Sequence, residues 1–495
     1  MPEAHGVWLI FTILLGFVPL ETVGQGSCAQ APNPSARIIC EQLHKWDTNA
    51  RSVPPKPKAP TLPAIPGQAA LVGAELAQIP TSPYQCMDLN CLCGYIGGNA
   101  CNVKARRREY RTLSDDERQR YHAAVLALKR SGEYDNIART HAQFAQAGGA
   151  HSGPSFLPWH REFVKRFEIA IRMVDPTLAI PYWDTTLDGA LPTPSDSIMF
   201  TDAFMGMNDG AGNLVRGPFA GWRTLTGRPN IQRRIGAQGM LLTEQNINYV
   251  ASANNIAQVL SYTAPRQGCP ANIDFNALEY THGNVHLFVG GDMMDQSTSA
   301  NDPIFFLLHS FVDYIWEMFR NRQNRFSRET DYPPDLPQCS SFFHTSSAFM
   351  SPFEPWNNID GLSNKYTDNM YEYAPRPQCP ACGGSKYLFC ARGRCASKIR
   401  TGGNCQGFTA GEDACYNGRC VGGRCVGGPP PAARPPVALR PAVVSQTCFN
   451  EHECCGTWAA NGQCRSNPGY MNQWCKASCS ICRPTYAMAG NFLSE

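Results

Sequence analysis

Apolar side chains recur every three to four residues along the middle of the chain, and this spacing predicts helices. The run Ser114-Asp115-Asp116-Glu117 is typical of a side-chain cap at a helix start, and Gly132 is typical of the end of that helix. Asp135 predicts the start of a second helix. Asp274 predicts the start of another, from Phe275 to Val289.

Two more helices are predicted on either side of that one. Residues 160–174 repeat apolar side chains at helical spacing. Asp302 is followed by Pro303, which suits the first position of a helix, and residues 304–308 are apolar on every side. The last helix should therefore be buried, and the middle of the chain should be mainly α.

Cysteine positions divide the chain into regions of different character. Six of the 23 cysteines fall between residues 28 and 101, two between 102 and 378, eight between 379 and 425, and seven between 448 and 482. The middle region must rely on a hydrophobic core, because only the cysteine-dense segments can be held by disulfides. We predict a Cys- and Pro-rich N-terminal region over 25–103, a Cys- and Gly-rich module over 376–426 and a Pro-rich linker over 427–447.

The cysteine content and the N-terminus favour a secreted, extracellular protein. Cysteine is too frequent for a reducing compartment in a chain of 495 residues. Residues 7–18 form an apolar run followed by small residues near position 24, which predicts a signal peptide over 1–24. No basic residue precedes the run, so a buried helix stays an alternative. No other stretch reaches the roughly 18 apolar residues of a membrane span.

The charge of the chain argues against one class of partner. The net charge is +3, and no block of basic residues is present. Nucleic-acid binding is disfavoured, because it requires a concentrated positive surface.

Histidines supply the candidate chemistry. His282 and His286, four residues apart, project from one helical face and can grip one ion, although ordinary helices also carry such pairs. His309 follows five apolar residues, where an imidazole without a partner is costly to bury. Six of the eleven histidines fall at the ends or on the inner faces of predicted helices: His141, His151, His160, His282, His286 and His309.

The donor types narrow the choice of metal. Imidazoles without nearby cysteines suit copper or zinc, and the lack of carboxylates disfavours di-iron and magnesium sites. The sequence His282-Gly-Asn-Val-His286 has no glutamate, so the zinc-protease motif is excluded. Two all-histidine sites on facing helices favour a copper pair.

Four segments resemble the tyrosinases and their relatives, the catechol oxidases and the molluscan hemocyanins. They are SGPSFLPWHREFVKRFE at 152–168, IPYWD at 180–184, LEYTHGNVHLFVGG at 278–291 and NDPIFFLLHSFVDYIW at 301–316. The resemblance covers 104–375, because Tyr371-Glu-Tyr373 looks like the closing tyrosine motif of this family, with Arg107 or Arg108 as its arginine partner.

The resemblance implies a mainly α fold, a four-helix bundle around a dinuclear copper site. His141, His151 and His160 would bind one copper ion, and His282, His286 and His309 the other. The implied reaction uses O₂ to oxidise o-diphenols to o-quinones, with monophenol hydroxylation as a second activity. The substrate would be a small phenol or catechol, or a protein-bound tyrosine. An oxygen-binding, hemocyanin-like protein and a structural matrix protein with a silent copper domain remain alternatives.

The sequence departs from its relatives near the expected site. Gly149 stands where many members have a cysteine cross-linked to a ligand, and Gly283 stands where efficient hydroxylators often have asparagine. Gln296 replaces a bulky gate residue, so an open pocket is expected. Glu279, Asp313 and Asn284 are candidates for orienting ligands or a water molecule, with an ordinary structural role as the alternative for the two carboxylates.

The last cysteine block, residues 448–482, resembles a ShKT module. The module implies pairing of Cys448 with Cys482, Cys455 with Cys475 and Cys464 with Cys479, which leaves Cys454 over. Channel-blocking relatives carry a lysine before an aromatic residue where this chain has Gly469-Tyr470. We therefore expect the module to bind an extracellular partner and to block no ion channel, while a stable end-piece without a partner stays an alternative.

Overall fold

The computed structural model describes residues 28–54, 82–97, 101–145, 148–408, 410–428, 455–476 and 478–481. The expected signal peptide and all but the first two residues of the Pro-rich linker lie outside these ranges. Helices dominate the described residues. The described α-helices longer than four residues are α1 Pro34–Ser52, α2 Leu89–Ile96, α3 Asp115–Ser131, α4 Glu133–Phe144, α5 Phe156–Val174, α6 Glu244–Ala251, α7 Leu278–Val289, α8 Ile304–Arg320, α9 Cys455–Ala460 and α10 Pro468–Trp474.

Short elements connect these helices. Four-residue helical turns lie at Thr186–Gly189, Ile256–Val259, Gln296–Ser299, Ser327–Thr330 and Gln463–Ser466. The strands form two-stranded sheets: β1 Ala105–Arg107 pairs in parallel with β4 Tyr371–Tyr373, and antiparallel pairs join β2 Met207–Asn208 to β3 Leu214–Arg216, β5 Leu388–Ala391 to β6 Arg394–Ser397, and β7 Gly418–Val421 to β8 Arg424–Gly427.

The predicted start and end of α3 are confirmed. The Ser114 hydroxyl accepts a hydrogen bond from the Glu117 amide, and Gly132 ends the helix at a φ of +83°. The predicted start of α4 at Asp135 is wrong, because Gly132 also begins that helix and the Asp135 carboxylate pairs with Lys129 instead. Gly132, in the left-handed conformation, thus ends α3 and begins α4.

The predicted start of α7 is also wrong. Asp274 lies in the turn before the helix, where its carboxylate accepts hydrogen bonds from the Asn276 amide and from the Tyr249 hydroxyl on α6. The helix begins only at Leu278. The prediction for α8 is confirmed, since a carboxylate oxygen of Asp302 accepts from the Ile304 amide and residues 304–308 are fully buried.

Helices α4, α5, α7 and α8 form the bundle that positions the histidines. α5 packs along α8, α3 packs against α4 and α5, and α7 contacts α8. One apolar core runs through the bundle and includes Trp159, Phe163 and Phe306. The mainly α prediction is therefore confirmed.

A buried cluster of charged and polar side chains connects helices α5 and α8 to strands β1 and β4. The Asp313 carboxylate on α8 accepts from Arg161 on α5 at 2.7 Å and from Arg107 on β1 at 3.2 Å. It also accepts from the hydroxyls of Tyr371 and Tyr373 at 2.8 and 2.6 Å. Arg107, rather than Arg108, is thus the arginine partner of the tyrosine motif.

Disulfides hold the small segments. The β5–β6 hairpin is cross-linked by Cys379–Cys390 and Cys382–Cys395, and the β7–β8 segment by Cys405–Cys420 and Cys415–Cys425. Near the C-terminus Cys455 bonds to Cys475 and Cys464 to Cys479, while Cys448, Cys454 and Cys482 lie outside the described residues. The other disulfides between described cysteines are Cys28–Cys40, Cys86–Cys91, Cys93–Cys101 and Cys269–Cys339. Among the described helices, none combines the length and apolar character that a bilayer crossing requires.

Candidate metal centre

The six singled-out histidines form two buried triads. α4 carries His141, the loop after it carries His151, and α5 carries His160, and one nitrogen of each ring lies within 4.8 Å of the others. The second triad meets the same limit. It consists of His282 and His286 on α7 and His309 on α8.

The two triads face each other across the bundle. The rings of His160 and His309 stack with centroids 4.4 Å apart, and the rings of His151 and His282 lie parallel at 6.3 Å. Two groups of three imidazoles therefore enclose one space. The i, i+4 spacing of α7 and the inward face of α8 produce this arrangement, as the sequence pattern indicates.

Backbone carbonyls fix the orientation of four of the rings. In each case the Nδ1–H donates to a carbonyl, which leaves Nε2 as the free donor atom for a metal. The acceptors are Gln296 O for His141 at 3.0 Å, Phe156 O for His160 at 2.9 Å, Glu279 O for His282 at 2.5 Å and Met293 O for His286 at 2.8 Å.

The inward nitrogens lack adequate partners within the protein. The Nε2 atoms of His286 and His309 lie 3.2 Å apart, those of His141 and His151 lie 3.5 Å apart, and His160 Nε2 is buried without a hydrogen bond. Two facing imidazole nitrogens need a cation or a proton between them.

Burial disfavours the proton. Desolvation, reinforced by the neighbouring histidines, holds the pKa of four imidazoles well below 6.5, those of His141, His160, His282 and His309. Desolvation likewise lowers the pKa of His286 to about 4. These five rings are neutral at physiological pH, and imidazole donors without a carboxylate among them fit copper.

Glu279 orients the one triad member that lies on a loop. Its Oε1 accepts from the Ser152 amide at 2.7 Å and lies 3.3 Å from His151 Nδ1, and its Oε2 accepts from the Thr263 hydroxyl. The carboxylate is buried and acts on His151, not on the side chain of His282 one turn away. A carboxylate hydrogen-bonded to the outer nitrogen of an imidazole fixes the orientation of the ring.

Hydrogen bonds from Ser155 hold the loop that carries His151. The Ser155 hydroxyl lies 2.7 Å from His344 Nδ1 and also bonds to the Gly149 carbonyl. A Cβ atom at Gly149 would lie only 2.6 Å from the Phe343 carbonyl oxygen, so no larger residue fits there without a shift of the backbone. Nothing in the sequence around His344 indicates this contact.

Aromatic rings make the surroundings of the triads apolar. Phe305 stacks on His309 with centroids 4.0 Å apart, and Phe156 lies 4.7 Å from both His160 and His282. Phe306, one residue along, packs on Phe167 within the bundle core and contacts the rings of neither triad.

The expected open pocket is absent from the described residues, and that expectation is wrong. The cavity over His151, His282 and His286 has a free volume of about 10 Å³, because residues of α1 cover it and the buried Gln296 lines its wall. This is room for roughly one water molecule. Sequence reasoning missed α1 altogether, although Ile39, Leu43 and Trp46 are spaced as one apolar helix face.

The remaining candidates take structural positions. Asp313 belongs to the charge cluster described above, one helical turn after His309. Asn284 donates to the Tyr280 carbonyl at 3.4 Å and does not line the cavity. His122 lies outside both triads, and its Nε2 is 2.5 Å from the Tyr110 hydroxyl oxygen.

Comparisons with known proteins agree with this geometry. The common central domain of tyrosinase matches residues 131–322, and an ShK domain-like module matches residues 447–482. The tyrosinase-like protein tyr-3 of Caenorhabditis elegans is 50% identical over 96% of this chain and 73% of its own length. The tyrosinase of Streptomyces glaucescens is 35% identical over 44% of this chain and 82% of its own. A polyphenol oxidase structure from Thermothelomyces thermophila is 21% identical, with a TM-score of 0.44 over 58% of this chain and 92% of that one. The chain belongs to the tyrosinase family.

Proposed function

We propose that the protein is a secreted type 3 copper oxidase that uses O₂ to convert o-diphenols to o-quinones. In this proposal His141, His151 and His160 hold one copper ion, and His282, His286 and His309 hold the second. The observation that carries it is the pair of buried histidine triads, whose ligand nitrogens converge within 4.8 Å in each triad. Monophenol hydroxylation is the weaker of two activities.

In this proposal copper supplies the redox chemistry, and the protein orients the ligands and excludes water. When bound, a copper pair supplies the two-electron redox step that couples phenol oxidation to the reduction of O₂. The backbone carbonyls that accept from the ligand rings keep each free nitrogen aimed inward. Glu279 does the same for His151. Phe156 and Phe305 exclude water from the reacting space.

One observation favours a second candidate, an oxygen-binding protein. A cavity of about 10 Å³ admits a diatomic gas more readily than a phenol ring, as an oxygen carrier requires. A structural matrix protein with a silent copper domain would share the modules but would lack turnover.

Copper analysis and oxygen uptake separate these functions. We expect the purified full-length protein to hold two copper ions per chain, one for each triad. Steady oxygen uptake with catechol supports the oxidase, reversible oxygenation without net uptake supports the carrier, and copper-free protein from a copper-replete host contradicts both.

Extracellular location is part of the same proposal. Ten disulfides join described cysteines, more than a reducing compartment would sustain. Recovery of the protein from the medium of expressing cells, with a new N-terminus near residue 25, tests this part.

A further inference from the structure

Helix α1 lies directly over the histidine centre. The Trp46 ring is 5.3 Å from the His151 ring, and Ile39 and Leu43 line the same small cavity, which also borders His282 and Gly283. The three α1 side chains are between 1% and 6% exposed. Three of the four α1 side chains that line the cavity are therefore apolar and buried, and the fourth is Gln42.

The volume left beneath α1 sets a size limit. About 10 Å³ remains between the helix and the histidines, and a phenol ring needs roughly ten times that space. Ile39, Gln42, Leu43 and Trp46 of α1 form one wall of this cavity, and helix α7, which carries His282 and His286, supplies most of the rest. While α1 is in place, no phenol reaches the centre by this route.

α1 is nevertheless separate from the core that holds the bundle together. Its apolar residues form a distinct cluster with Ala264, Ala277, Tyr280 and Leu287, and none of them belongs to the bundle core. Displacing α1 would expose this small cluster and leave the packing of α5 against α8 intact. Helix α7 contributes Tyr280 and Leu287 to the α1 cluster, but its Leu278, Val285 and Val289 belong to the bundle core.

α1 is also joined to the rest of the chain by a single covalent connection. The only cysteines among residues 1–54 are Cys28 and Cys40, and they bond to each other. A few polar contacts at the margins hold the helix down: Ser152 donates to the Leu43 carbonyl at 2.8 Å, Arg266 pairs with Asp47 at 2.9 Å, and Arg51 donates to the Pro337 carbonyl at 2.6 Å.

We propose that α1 is an autoinhibitory helix, which closes the mouth of the histidine centre until it is displaced or cut away. The inference rests on the proposed function for its substrate, but the closure itself is a property of the chain and exists without metal. A protease that cuts the backbone after residue 54 would free the helix, because no disulfide retains it. Release exposes His151, His282 and Gly283 to a ring-sized molecule.

A cleavable full-length protein tests the closure. A site-specific protease sequence inserted between Val53 and Pro54 permits release of α1, which gel filtration verifies. Release should raise the rate of catechol oxidation by the copper-loaded protein by about tenfold or more, because a larger fraction of the molecules then has a centre that catechol can reach. The copper content should not change. An equal rate before and after release would overturn the proposal.

A second measurement does not depend on turnover. Diethyl pyrocarbonate, a histidine reagent somewhat larger than catechol, is applied to the metal-free protein, and modified histidines are identified by mass spectrometry. His151 and His282 should be protected in the intact chain and modified after release. Modification in the intact chain would refute closure. Deprotection without any catechol turnover in copper-loaded, released protein would support closure and refute the oxidase function instead.

Point variants test the same contacts without a cut. The pair Leu43→Ala and Trp46→Ala shortens the inner face of α1, whereas Lys45→Ala changes its exposed face. The double variant should raise catechol oxidation at unchanged copper content, and Lys45→Ala should match the parent protein. A double variant no faster than the control would count against α1 as the closing element.

Discussion

The side chain of Ile39 fills the space above Gly283, the residue that follows His282. A Cβ atom at Gly283 would lie 3.1 Å from Ile39 Cγ2 and 3.2 Å from its other outer carbons, closer than ordinary packing allows. The missing side chain on α7 and the apolar face of α1 are thus complementary. Gly283 therefore allows α1 to pack closely against α7.

Gly283→Asn should destabilise the full-length protein by about 1–3 kcal/mol, because the larger side chain collides with Ile39. The cost should fall by about 0.5 kcal/mol or more when Ile39→Ala is also present. Urea unfolding of the two single variants and the double variant measures this coupling. Arg37→Ala, on the exposed face of α1, is the control and should show no coupling. Additive effects of Gly283→Asn and Ile39→Ala would contradict the contact.

Diphenol oxidation should exceed monophenol hydroxylation in protein freed of α1. Hydroxylation needs removal of the phenol proton by a positioned base or water, and Gly283 has no side chain to hold one. Asn284 does not compensate, because its side chain bonds to the Tyr280 carbonyl outside the cavity. Oxygen uptake with catechol and with a matched monophenol measures the ratio. Equal specific rates would show that another group performs this task.

His286→Ala should lower the copper content from two ions per chain to one and abolish catechol oxidation. The variant leaves its triad with two imidazoles, too few to hold the ion in place. His44→Ala, which removes a histidine outside both triads, serves as the control and should keep both ions. Metal analysis by mass spectrometry reports the outcome. Full copper content and normal turnover in His286→Ala would remove it from the ligand set.

The metal-free protein should lose stability as the pH falls from about 6.5 towards 3, in part through His122. Burial, helped by Arg118, lowers the pKa of His122 from 6.5 to about 3. The unfolded state binds a proton first on acidification, so stability is complete above pH 6.5 and declines below it, by on the order of 4 kcal/mol for this residue. Urea unfolding across this range should therefore show a shallower decline for His122→Asn. Identical slopes in the two proteins would mean that His122 is not neutral in the native state.

Deleting residues 427–495 should leave catechol turnover intact and change only where the protein is retained outside the cell. The deleted part lies beyond both the triads and the Tyr371–Tyr373 strand. The isolated ShKT module should not block potassium currents, because Gly469-Tyr470 lacks the cationic side chain. Turnover and extracellular distribution of the truncated protein are compared with those of the full chain. Lost turnover or current block at nanomolar concentration would each contradict one half of this expectation.

The histidine arrangement was accessible from sequence because it is encoded locally. His282 and His286 share a face by their spacing, and the apolar run before His309 demands a buried partner. The first residues of two helices were predicted wrongly. Asp135 and Asp274 are residue types that often precede a helix, but α4 begins after Gly132 and α7 begins at Leu278. A carboxylate two to four residues from the start can serve either role.

The closure over the site was not accessible in the same way. Trp46 and His151 are distant in sequence, and nothing in the α1 pattern identifies the surface on which its apolar face packs. Likewise, Glu279 was a candidate only by its place near His282, while its contacts with Ser152 and Thr263 arise from tertiary packing. Local patterns predict elements, but partners across the fold depend on the whole chain.

The Asp313 cluster sets the minimum length of a recombinant fragment. The family match ends at residue 322, but a fragment cut there would lack the hydroxyls of Tyr371 and Tyr373 that donate to Asp313. A fragment that begins at or before residue 105 and ends at or after residue 373 keeps every member of the cluster. The matched segment 131–322 lacks Arg107 as well as the two tyrosines. A buried carboxylate stripped of three of its four donor groups is costly to keep in the fold. Expression trials should therefore start from residues 105–373 or longer.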